Sequence, residues 1–520
     1  MSSGTGSFRP SAVEGQPVIG LLPLDDRPCN RLFPQQLAPI VGCELLLPPR
    51  GLLGWFTTPG DCDALMAWLD DCAAERLVVS LDMLCYGGLV AGRASATRLQ
   101  QARRRLRSLH ALKQRRPELI VYAFTSLMRL GRTVTSADTL RLHSNLVAYS
   151  MLYDRLHRLG DGSARAELDD VTARLDADAL QEYLAVRQRN HEVNRAALQL
   201  IADHTLDYLV ICQEDAAPVG LHIPEHQALR DDIARLGISD RVALHPGADE
   251  VSLVLMARQL THLAGCAPRI APDYATQEGA AAIPRYEHQP LRQSVESQLR
   301  AAGAEAVPPG RADAIMFVHT PIGEQREAGE APPRGQSPSY AMQADSMAAR
   351  LQAARAAGYL AGIADVAYAN GADPELVSAL RRSEVVKDLN AFAGWNTASN
   401  TIGTVAAQLC LEILAARAGL SHPSPSARFL ACRLLDDWAY QSCVRKRAVA
   451  LAESQGENPY SLGAAADRFE EYVRAELEPL AHHIHSFGWD GAEEGEIPFS
   501  VTLPWKRLFE IEADVLSPAS

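Results

Sequence analysis

Val18-Ile-Gly-Leu-Leu-Pro-Leu-Asp25-Asp26-Arg27-Pro28 is a short apolar run that stops in two acids, an arginine and a proline. Short apolar runs bounded by turn residues read as buried parallel strands. Polar residues at the carboxyl end of such a strand sit where ligands bind in α/β folds. The same pattern recurs downstream. Arg76-Leu-Val-Val-Ser-Leu ends in Asp82, and Leu119-Ile-Val-Tyr-Ala-Phe ends near Ser126 and Arg129. Leu206-Asp-Tyr-Leu-Val-Ile-Cys runs into Gln213-Glu214-Asp215, and Arg241-Val-Ala-Leu-His runs into Pro246-Gly247-Ala248-Asp249-Glu250. Later runs stop at His319, at Asp365 and at Gly394-Trp395-Asn396.

Helical stretches alternate with these runs, which predicts parallel sheets in an α/β core spanning 17–420. With eight to ten strand candidates, a β/α barrel is the favoured arrangement, and a doubly wound sheet plus a second α/β domain is the alternative. Residues 136–204 hold few helix breakers and read as an inserted helical hairpin, and 321–339 as a Gly, Pro and Glu-rich loop. The Pro-Ser stretch 421–426 reads as a linker to a mainly helical C-terminal domain, 427–520, with a short β piece near 497–503. Residues 1–16 read as a disordered arm without the apolar core of a signal peptide.

The composition narrows the functional classes. Of 520 residues, 47% are hydrophobic and 22% charged, as in a folded globular protein. The net charge of −13 disfavours binding to nucleic-acid phosphates, and the run Arg103, Arg104, Arg105, Arg107 reads as a solvated helix face. Ten cysteines occur with no C-x-x-C pair, several of them in apolar runs (Cys85, Cys212, Cys410), which fits a reducing compartment. No apolar run is long enough to cross a membrane, so a cytoplasmic location is expected.

One acid after a strand often just caps the next helix. Recurrence at many strand ends points instead to a polar pocket. Its expected residues are Asp25, Asp26, Arg27, Asp82, Arg129, Glu214, Asp215, His245, Asp249, Glu250, Asp365 and Asn396. Adjacent carboxylates can divide acid and base roles, as glycoside cleavage requires. Arg27 pairs internally or reaches a ligand oxyanion. The glycines after Tyr86 admit a ligand or another stretch of backbone. Trp395, Asn396 and Asn400 read as a sugar-stacking wall or as core.

His245-Pro-Gly-Ala-Asp-Glu-Val251 resembles the His-x-Gly-Gly-Asp-Glu signature of β-N-acetylhexosaminidases, with Ala248 replacing the second glycine. The resemblance implies that Asp249 orients the substrate acetamido group and Glu250 is the general acid. Glu214-Asp215 resembles the adjacent acids of the O-linked N-acetylglucosaminidases, where the pair is normally Asp-Asp. The two pairs compete for one role. Over 18–410, the segments Pro23-Leu-Asp-Asp-Arg-Pro-Cys-Asn30, Ser80-Leu-Asp-Met-Leu-Cys-Tyr-Gly-Gly88, Gly247-Ala-Asp-Glu250 and Gly394-Trp-Asn-Thr-Ala-Ser-Asn-Thr-Ile-Gly403 together resemble a bacterial family of unknown function.

The expectation is therefore a hydrolase of the glycosidase type that retains configuration and acts on an N-acetylhexosamine-type glycoside. The alternatives are a metal-dependent hydrolase using Asp25, Asp26, Asp82, His245 and Asp249, and a non-catalytic sugar- or metabolite-binding protein. No cofactor is expected, because no Gly-x-Gly-x-x-Gly or Walker loop occurs. The expected partner is a small-molecule or oligosaccharide substrate, with no nucleic acid or membrane, and homo-oligomers stay open.

Overall fold

A computed structural model describes residues 16–94, 96–330, 337–420, 423–485 and 499–515. The arm expected over 1–16 lies almost wholly outside these residues. Among the described residues eleven strands, most of them the apolar runs, form two open, parallel sheets. The first holds β1 (Val18–Leu22), β2 (Glu44–Leu46), β3 (Arg76–Ser80), β4 (Ile120–Leu127), β5 (Tyr208–Gln213) and β6 (Val242–Pro246), in the order β2-β1-β3-β4-β5-β6. The second holds β7 (Arg269–Tyr274), β8 (Glu305–Ala306), β9 (Ala314–His319), β10 (Leu360–Asp365) and β11 (Ala391–Ala393), in the order β11-β10-β9-β7-β8.

Each sheet thus starts in its interior, takes its second strand to one side and adds the rest on the other. This is the doubly wound pattern, with strand order reversing between β1 and β3 and again between β7 and β9. Neither sheet closes, so the barrel expected from the strand count is replaced by two sheets. The sequence reading also passed over β7. Pro272 sits inside it, and proline normally marks a strand edge. Here β8 pairs only with Arg269 and Ile270, so that flank of the strand is open at Pro272.

Three helices set the ends of these strands. Pro28, whose missing N–H and fixed φ suit a first helical position, opens α1 (Pro28–Leu37) directly after Arg27. The turn after β6 leads into α2 (Val251–Leu263), and the turn after β11 into α3 (Ala398–Ala418). α2 and α3 pack on each other, and their apolar residues join both sheets in one core. α3 is long and apolar enough to cross a membrane, unlike anything the sequence reading picked out. However, 78% of its apolar window is buried, so it reads as a core helix.

Residues 137–202 form three helices. Residues 423–426, read as linker, already belong to the helix Pro423–Arg433. That helix continues through a π-helical stretch, Leu434–Val444, into Arg445–Ser454. After the helix Ala466–His485, Phe499–Thr502 pairs antiparallel with Glu512–Val515. The C-terminal region folds back against the first sheet, where Trp505 donates its indole N–H to Asp26 at 2.6 Å.

Candidate active site

A cavity of about 390 Å³ opens at the carboxyl ends of the first sheet, under the C-terminal region. Its size lies within the usual range for small-ligand sites. Arg27 follows β1, Arg93 the helix after β3, Arg129 follows β4, Glu214 and Asp215 follow β5, and Gly247 to Asp249 follow β6. Asn396 enters from the turn after β11, Asn400 from the start of α3, Tyr286 from the segment between β7 and β8, and Arg445, Tyr460, Trp505 and Arg507 from the C-terminal region. The register explains why two acid segments meet. Gln213 stands beside Pro246, so the chain leaves β5 and β6 in step, and the Gly247 N–H bonds the Gln213 carbonyl at 3.1 Å.

Asp249 is the most tightly fixed carboxylate. It accepts from Arg27 Nη1 at 3.1 Å and Nη2 at 2.6 Å, and from Asn396 Nδ2 at 2.9 Å. Asn400 Oδ1 holds the turn beneath by accepting from the Ala248 and Asp249 amides at 3.3 and 3.0 Å. Arg27 is itself forked onto Asp25, with Nη2 at 2.7 Å and Nε at 3.0 Å from each carboxylate oxygen. Of the two readings of Arg27, the internal ion pair is the one observed. Asp25 lies behind the guanidinium, and burial raises its carboxyl against the pull of Arg27.

The β5 pair is engaged by the other arginines. Glu214 pairs with Arg93 and lies 3.9 Å from Arg129, whose Nη2 is 2.5 Å from Asp215. Arg93 also donates to Thr133 at 2.7 Å. Burial first, and then the neighbouring Arg129 charge, holds the Arg93 guanidinium well below its ordinary range.

Several expected site residues lie elsewhere. Glu250 turns away from the cavity. Its carboxylate tucks beneath Gly247 and against Gly403 of α3, accepting from the Ala248 amide at 2.9 Å and Gln298 Nε2 at 2.6 Å. Burial pushes its carboxyl up to about 8. The adjacent acids therefore separate: Asp249 faces the cavity and Glu250 packs into the core. His245 is buried with Nδ1 2.8 Å from its neighbour's carbonyl, and burial pulls it down to about 4. Asp82 accepts from the Ser126 amide at 2.8 Å and hydroxyl at 3.1 Å behind the wall, and burial lifts it to about 6.

Asp26 anchors the C-terminal region through Trp505 instead of facing a ligand. Tyr86 packs under Arg189, and the close approach permitted by Gly87 and Gly88 is taken up by Gly54 and Gly60. Asp365 caps a turn of the second sheet, accepting from the Asp373 amide at 2.6 Å. Trp395 is core, edge-on to Phe33 at 5.4 Å with its indole N–H on Thr404. Trp505 takes the aromatic place in the cavity wall, stacked on Phe56 at 5.3 Å.

Among the described residues, no three His, Cys, Asp or Glu side chains converge as metal ligands do. The sequence reading missed Arg93, Tyr286, Arg445, Tyr460, Trp505 and Arg507. Only Arg93, a few residues past Tyr86-Gly87-Gly88, lay near a segment already singled out.

No curated protein matches the chain. A family model described as a protein of unknown function, DUF4127, matches residues 19–514, the span that holds both sheets, the cavity and its C-terminal cover. The chain belongs to that family.

Proposed function

We propose that the cavity is the active site of a glycoside hydrolase acting on a sugar-sized, polar substrate. One observation carries the reading: carboxylates from two neighbouring strand ends, Glu214-Asp215 and Asp249, face one cavity lined with amides and aromatic rings. Asp249, fixed by Arg27 and Asn396, is placed to stabilise positive charge at the sugar carbon. The Glu214-Asp215 pair handles the proton of the leaving oxygen. Amides of Asn396 and Gln213 suit sugar hydroxyls, and Trp505, Tyr286 and Tyr460 suit ring faces. Of the two acid pairs that suggest an N-acetylhexosamine, Asp249-Glu250 lacks its acid at the cavity, whereas Glu214 and Asp215 both line it, so an N-acetylhexosamine stays among the candidate sugars. The reaction is taken to occur in the cytoplasm.

The test is a panel of nitrophenyl glycosides assayed with the native chain and three variants. At least one glycoside is turned over. Asp249→Asn and Glu214→Gln each lower kcat/KM by roughly 10²–10⁴, as loss of a proton-handling or charge-stabilising group does. Glu250→Gln stays within a few-fold of native. Turnover that survives Asp249→Asn and Glu214→Gln but vanishes in Glu250→Gln sinks this assignment. A second reading is favoured by one observation, that all three cavity carboxylates are paired with guanidiniums: a site that binds a small metabolite without turnover. A panel with no turnover but saturable binding supports that reading.

A further inference from the structure

Two guanidiniums in the cavity wall are not engaged by its carboxylates. Among the described residues Arg445 bonds only Gln441 Oε1, at 3.0 Å, and no carboxylate lies within ion-pair distance of it. Arg507 pairs with Glu510 at 2.6 Å, outside the cavity wall, while its buried Nε has no acceptor among the described residues. Both stand over the ring of Phe509, at 4.7 and 4.9 Å, and Arg507 also lies over Trp505 at 4.5 Å. Aromatic neighbours of this kind restrict a guanidinium, and each of the two keeps N–H donors beyond those given to Gln441 and Glu510.

The rest of the wall points the same way. The Nε atoms of Arg93 and Arg129 are also buried without acceptors among the described residues. Five arginines face three carboxylates across the cavity. Burial, with Arg27 repelling, also holds the Arg507 guanidinium below its ordinary range. Buried donors without acceptors are costly, and an oxyanion on a ligand supplies the missing acceptors in bidentate form.

We propose that Arg445 and Arg507 form a clamp for an oxyanion of the substrate, so that the sugar bound in the cavity carries a carboxylate or phosphate group. This rests on the reading of the cavity as a glycoside site.

The experiment is calorimetric titration of the full chain with glucuronate, glucose 6-phosphate and glucose. At least one acid is expected to bind tenfold or more tighter than glucose, and which acid is tighter assigns the group as carboxylate or phosphate. Arg445→Gln should remove tenfold or more of that affinity. Arg507→Lys, which keeps the charge but loses the fork, should weaken the same acid and serves where Arg445→Gln does not fold. Equal binding of glucose and the acids, no binding of either acid, or an unchanged acid affinity in the folded variants overturns the clamp. Hydrolysis of a neutral glycoside without acid binding removes the clamp and leaves the hydrolase. Arginine-dependent acid binding without turnover of any glycoside, acidic ones included, does the reverse.

Discussion

Arg27 carries more of the site than any other side chain. It is buried, it forks between Asp25 and Asp249, and it lies 4.8 Å from the Trp505 ring. Removing one partner of a buried ion pair strands the other charge away from water, which costs about 3–5 kcal/mol. Arg27→Met strands two, and chemical denaturation should show a loss of at least that size. A midpoint equal to the native one would mean that the two acids find another partner. Asp25 and Arg27 were legible in the opening stretch of sequence. That Arg27 also pins Asp249, 222 residues away, was not, because nothing local links them.

At the scale of single elements, the turn between β6 and α2 decides which acid faces the ligand. Gly247 has φ of +115°, a region L side chains rarely adopt, and a Cβ there would collide with the Glu250 carboxyl. Gly247→Ala must therefore move either the turn or the Glu250 carboxyl. The expected result is a loss of about 1–3 kcal/mol from backbone strain, with kcat/KM on the substrate found in the glycoside panel falling tenfold or more as Asp249 shifts. Unchanged melting temperature and turnover would show that the turn does not position Asp249. The sequence marked this turn correctly, since a glycine followed by two acids opens a helix after a strand. It could not say which acid points inward. The Glu250 carboxyl is drawn beneath Gly247 by the Ala248 amide and by Gln298, which comes from a distant helix.

Across the whole molecule, buried carboxyls outside the cavity set a pH dependence. Burial raises Glu250 to about 8 and Glu287 to about 7, and it raises Asp365 and Asp437 as well. The folded chain then holds more protons than the unfolded one, so these groups stabilise it fully below their unfolded values near 4, and that stability is lost as pH rises through the folded values. Buried His222, His226, His245 and His288 are lowered to about 2, 3, 4 and 4, chiefly by burial. Their stabilisation is present above about 6.5 and is lost as pH falls. From pH 6.5 to 8 these four histidines shed only their remaining unfolded-state protons, a smaller change than that of the four carboxyls, so the carboxyls decide the slope. The urea midpoint should therefore fall from pH 6.5 to pH 8, and Glu250→Gln should shrink the drop. A midpoint that rises over this window contradicts the assignment.

The parallel α/β character was written in the sequence, because strands buried on both faces must be apolar throughout and their ends must be polar where the sheet meets water. The repeated run of apolar residues into acids gave both the strands and the edge on which the cavity lies. Strand order was not written there: runs of one kind fit a closed ring or two open sheets equally, and only long-range pairing separates them. The site divided in the same way. Asp249, Glu214, Asp215, Arg129 and Asn396 were legible as strand-end polar residues. Arg445, Trp505 and Arg507 were not, since they come from a C-terminal region with no strand-end signal. They join the cavity because the C-terminal region packs back over it, with Trp505 on Asp26 and the Phe56 ring, Glu512 on Arg31 and Arg50, and Ser442 on the Ala372 carbonyl. Chemistry that depends on residue type could be read along the chain, and chemistry that depends on which distant segments touch was decided by the packing.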